Sequence, residues 1–72
     1  MKRHEQSIED HVKGNVSFAI DQANEYGGLQ GSRDSFHQNT IDSVIEDGYT
    51  ADEAWNAGLW FSSLFCKETG LE

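Results

Sequence analysis

Apolar residues spaced by threes and fours, interrupted only at glycines, constrain this chain more than any other feature. After Ser7, the residues Ile8, Val12, Val16, Ala19, Ile20, Ala23 and Tyr26 recur at helical spacing. That recurrence is the pattern of one face of an amphipathic helix. "SIED" offers Ser7 as an N-cap with an acid three positions on, a helix-start signature. Proline is absent, so the helix must be stopped by glycine, which accepts the left-handed conformation of a closing turn. Gly27 and Gly28 supply that stop. Gly14, inside the helix, is a weak point worth up to about 1 kcal/mol against alanine.

The stretch "GGLQGS" is expected to form a turn or short loop. A second helix is predicted from Ser32 or Arg33 to Asp47, with Phe36, Thr40, Ile41, Val44 and Ile45 facing inward and Gly48 closing it. "TADE" then makes a capping box, in which Thr50 caps and Glu53 reaches back. The third helix is expected to run to about Lys67, with "ETGLE" fraying. Period-two alternation is missing, so no strand competes. The reading is all-α: one domain over residues 1–72, with helices near 7–26, 33–47 and 51–67. They would form a small three-helix bundle or open helical array, with a second copy available to complete it by dimerisation.

The third helix sets the functional question. Ala54, Ala57, Gly58, Phe61, Leu64 and Phe65 share one face, Trp55, Leu59, Ser62 and Cys66 form a second stripe, and Trp60 flanks the first. A helix apolar nearly all round is normally buried on several sides. Two short helices cannot easily cover it. Either it is simply the central core helix, or Trp55, Leu59 and Trp60 stay exposed as an anchor for a partner or a second copy. Tryptophan suits that second role because it brings a large contact area at low entropic cost. Small Ala57 and Gly58 would let another helix come close.

Charge points the same way. Thirteen acids against five bases give a net charge of −8, which disfavours nucleic acid and anionic membrane as direct partners. Between Asp34 and Cys66 there are six acids, Asp34, Asp42, Glu46, Asp47, Asp52 and Glu53, and no Lys or Arg. Plain solubility is one explanation. The other is an acidic face for a protein with a basic surface, such as a nucleic-acid-binding enzyme or complex, in which carboxylates imitate phosphates. Ile, Leu, Val and Phe number only 15, and cores of this size supply roughly 3–5 kcal/mol, so added burial would help.

Catalysis and metal binding find little support. No HExxH or Glu-x-x-His motif is present, and one cysteine, Cys66, cannot form an internal disulfide. Cys66 reads as a small buried hydrophobe and His37 as a core-edge histidine held by a hydrogen bond. His4 is expected in a mobile N-terminal stretch, two turns before His11. "GGLQGS" lacks the lysine and spacing of a phosphate-binding loop. No cofactor, metal or enzymatic activity is expected. "MKRHEQSIEDH" has no apolar run after its bases, and no membrane span is visible, so the expectation is a small cytoplasmic gene product, in host cytoplasm if phage-encoded.

"IDSVIEDGYTADEAWNAG", Ile41 to Gly58, resembles the first helix, Met-Gly-Tyr/Phe loop and second helix of ubiquitin-associated domains. Gly48, Tyr49 and Ala54 match, but Asp47 stands in place of Met and only "ETGLE" is left where a third helix should follow. In composition the chain resembles the small acidic proteins with which phages and mobile elements inhibit host enzymes. The leading expectation is thus a non-enzymatic acidic inhibitor or modulator, a nucleic-acid mimic that occludes a basic site. The alternative is a homodimeric structural or adaptor subunit assembled through the third helix, with an antitoxin or immunity protein as a further option.

Overall fold

A computed structural model describes residues 4–71. Three helices follow one another: α1 (Ile8–Tyr26), α2 (Leu29–Glu46) and α3 (Ala51–Thr69). Each packs on both of the others, which makes a three-helix bundle; the described residues contain no strand. Its extents are 38 × 20 × 15 Å.

The local stop and start signals act as the sequence predicts. Ser7 Oγ accepts the Asp10 N–H at 3.1 Å and opens α1. At the head of α3 the capping box is complete: Thr50 Oγ1 accepts from the Glu53 N–H at 3.2 Å. Glu53 Oε1 in return accepts from the Thr50 N–H at 2.9 Å. Gly48 adopts φ 95° and closes α2 with two bonds, Gly48 N–H to Ile45 O at 3.0 Å and Tyr49 N–H to Val44 O at 3.2 Å. These are the paired bonds of a Schellman turn, which needs a left-handed residue at the position Gly48 occupies.

Two boundaries differ from expectation. Helix α2 begins at Leu29, not near residue 33, so most of "GGLQGS" is its first turn. The chain reverses on Gly27 and Gly28 alone, at φ 81° and 82°. Tertiary packing explains the early start: Leu29 lies against the core, and Ser32 Oγ donates to Ala19 O of α1 at 2.6 Å. Helix α3 continues to Thr69 and ends on Gly70 at φ 76°, because Leu71 folds back onto the core.

The core is Val12, Val16 and Ala19 of α1, Val44 of α2, and Ala54, Ala57, Phe61 and Phe65 of α3. Phe61 and Phe65 are its largest fully buried side chains; burying each contributes about 1.5–3 kcal/mol. Gly58 seats α2 on α3: a side chain there would lie 2.8 Å from Ile41 Cγ1. The close approach offered by the small residues of α3 is therefore used within the chain. Ile45 and Tyr26, expected inward, are 47% and 75% exposed. Ile45 directly follows Val44, the core position of α2, and so points about 100° further around the helix; Tyr26 is the last residue of α1.

Candidate protein-interaction site

Helix α3 is core on one side and exposed on the other. One face is the bundle core, and the rest keeps large apolar side chains in solvent. Trp55 is 59% exposed, Leu59 51% and Trp60 42%. Trp55 and Leu59 lie four apart on one ridge. Trp60 is five residues from Trp55, about 140° around the helix, so the three do not form a single anchor.

The Trp55 ridge runs beside α2. Its continuation, Ser62, holds His37 of α2 through a 2.6 Å bond between Oγ and Nδ1, and Gly58 lies against Ile41. The helices run antiparallel, so the next turn of α2 brings exposed Ile45 level with Trp55. Ile45, Trp55 and Leu59 thus line the rim of the α2/α3 seam. Asp42 and Glu46, both exposed, sit three before and one after Ile45, and exposed Asp52 sits three before Trp55. An apolar strip with carboxylates along both edges results.

The other three acids between Asp34 and Cys66 make contacts within the fold. Asp34 accepts from Arg33 Nη2 at 3.3 Å. Glu53 belongs to the capping box, and its hydrogen bonds from Thr50 hold its pKa below the usual glutamate value. Asp47 is the most committed. Its carboxylate accepts the Glu5 N–H at 2.8 Å and the Gln6 N–H at 3.0 Å, and pairs with His11 Nε2 at 2.8 Å. The Glu5 amide, then His11, then the Gln6 amide lower its pKa to about 2.

Asp47 thus ties the segment before α1 to the α2–α3 turn. His4, expected in a mobile stretch, stacks on Tyr49 with ring centroids 3.8 Å apart. The Tyr49 hydroxyl donates to Gln6 O at 2.7 Å. His4 and His11 are accordingly not two turns of one helix, since His4 precedes α1. His37 is the hydrogen-bonded core-edge histidine that the sequence suggests. Cys66, expected buried, is half-buried.

Among the described residues no group of three or more His, Cys, Asp or Glu side chains is placed to hold a metal ion. No helix is long and apolar enough to cross a membrane. The concave regions are shallow and open; one, about 420 Å³, is lined by Glu5, Gln6, His11, Ser43, Glu46 and Asp47.

Sequence reasoning missed Phe18, which is 64% exposed. A signal was present, because Phe18 falls off the three-and-four repeat of α1 toward its polar side. Set against family models, curated proteins and solved structures, the chain matches none.

Proposed function

We propose that this chain is a non-enzymatic acidic binding protein that occupies a basic site on a larger, nucleic-acid-handling protein. The observation that carries the reading is the strip of Ile45, Trp55 and Leu59 at the α2/α3 seam, edged by Asp42, Glu46 and Asp52. Apolar residues left in solvent beside a small core are an interaction surface in waiting. The carboxylates choose the occupant by sign, since an opposite potential speeds encounter and rejects wrong partners. Asp47, fastened to the segment before α1, has no part in this contact, and Asp34 and Glu53 have little.

Assembly of two copies through α3 is the second reading, favoured by the exposure of Trp55 and Trp60. Charge argues against it at the seam. A symmetric contact there sets like carboxylates against each other, at a net charge of −8 per copy.

The test is affinity capture with immobilised wild-type chain, an Asp42→Lys/Glu46→Lys/Asp52→Lys variant and Trp55→Ala. All four positions are exposed, so each variant should fold. A basic protein retained by wild type, displaced by salt and by duplex DNA, and lost from both variants supports the reading. Retention of the same protein by the charge-reversed variant refutes mimicry. A dimer in solution that Trp55→Ala dissociates would favour assembly.

A further inference from the structure

A second surface lies on the other flank of α2, and three observations meet there. The first is shape. Three open concavities of about 420, 260 and 350 Å³ follow one another along the α1/α2 seam. The first two share Gln6, His11 and Ser43, so they are continuous.

The second is the make-up of the walls. Residues four apart form ridges on a helix surface. The α1 wall is the ridge Asp10, Gly14, Phe18, Gln22 and Tyr26; the α2 wall is Gly31, Ser35, Asn39 and Ser43. That α2 ridge carries nothing larger than asparagine, with Phe36 beside it at one end and Glu46 at the other. The α1 wall carries two aromatic rings, 64% and 75% exposed.

The third is the glycines. Glycine inside a helix costs roughly 0.5–1 kcal/mol against alanine, and internal packing explains Gly58. It does not explain Gly14 or Gly31: a side chain at either would meet nothing within 4 Å. Both glycines line the groove, where bare backbone leaves room for something that approaches from outside.

We infer that the α1/α2 groove docks a basic amphipathic helix of a partner protein, which would complete a four-helix arrangement. Helical bundles accept a further helix across such a seam, with apolar side chains on Phe18 and Tyr26. Charge selects a basic one: Glu5, Asp10 and Glu46 rim the groove. Lys13 is turned away on the α1 stripe that also holds Glu9, to which it is paired at 3.0 Å. The groove and the Trp55 strip lie on opposite flanks of α2 and share only Glu46, so Gly14→Leu and Trp55→Ala separate them.

The test uses the full chain and a synthetic lysine/leucine amphipathic helix as probe, followed by amide chemical shifts. Gly14→Leu is the blocking variant. It adds bulk to the groove, its Cβ meets nothing within 4 Å, and it replaces a poor helix former with a good one, so it should fold as well as wild type. The expected result is shifts at Gly14, Phe18, Asn39 and Ser43. Affinity should fall about tenfold in Gly14→Leu and in Phe18→Ser, and stay unchanged in Trp55→Ala. Equal binding by Gly14→Leu, shifts confined to α3, or equal binding of a scrambled peptide of the same charge would overturn the inference. So would a self-associated wild type that Gly14→Leu makes monomeric, because the groove's occupant would then be a second copy.

Discussion

Replacing Gly58 by alanine asks whether α2 seats on α3 through a missing side chain. The new Cβ would lie 2.8 Å from Ile41 Cγ1, 3.0 Å from Ile41 Cδ1 and 3.1 Å from His37 Nε2. Ile41 is half-buried, and His37 is tethered to Ser62, so neither yields freely. Overpacking of this kind costs about 1–3 kcal/mol. Against it, alanine is about 0.8–1.0 kcal/mol better than glycine in a helix interior. The net expectation is a loss of up to about 2 kcal/mol. Gly14→Ala isolates the propensity gain, because its Cβ meets nothing within 4 Å. The gap between the two variants is then the steric cost alone. A gap of about 1 kcal/mol or more corresponds to at least about 4 °C in Tm for a domain this small. Urea unfolding followed by far-UV circular dichroism measures it, and Gly58→Ala combined with Ile41→Val should recover part of the loss by removing Cδ1. If Gly58→Ala proves as stable as Gly14→Ala, the close seat is absent and the argument fails.

Asp47 should make the fold acid-sensitive. Its folded pKa is lowered to about 2, so its contribution is present above the ordinary aspartate range near 4 and lost as pH falls from there through about 2. Thermal melts from pH 7 to pH 2 should show that Asp47→Asn is less stable at neutral pH and has a flatter acid limb; parallel limbs would contradict the assignment. Phe61→Ala should cost about 3–5 kcal/mol, comparable with the whole stability of such a domain, and leave the chain largely unfolded by circular dichroism. Thr50→Ala removes the side-chain half of the capping box, leaves the Thr50 N–H to Glu53, and should cost about 0.5–2 kcal/mol, read from the urea midpoint. Trp55 and Trp60, at 59% and 42% exposure, should emit at long wavelength and be quenched by acrylamide. Shielded tryptophans together with a dimer mass would mean that α3 is consumed by self-association.

Local chemistry made much of this fold legible from the chain alone. Caps, glycine stops and three-and-four repeats act between residues at most a few positions apart. So Ser7, Gly27, Gly48 and Thr50 mark their boundaries without reference to anything distant. The early start of α2 escaped that reading, because Gly28 looks like loop until Leu29 finds the core and Ser32 finds Ala19 across the seam. The fate of the acids escaped it for the same reason. Asp47 resembles Asp42 and Glu46 in sequence, but only folding brings Glu5, Gln6 and His11 to it, from 36 to 42 positions away.

The amino-acid sequence by itself determined three helices, the glycine stops of the first two and a run of acids without a base from Asp34 to Cys66. The tertiary structure alone decided which side of α3 is core. Ala54, Ala57 and Gly58 are small enough for α1 and α2 to approach closely, so burial concentrates on their face with Phe61 and Phe65. Trp55, Leu59 and Trp60, on the remaining arc, stay in solvent because the bundle has no fourth helix to cover them.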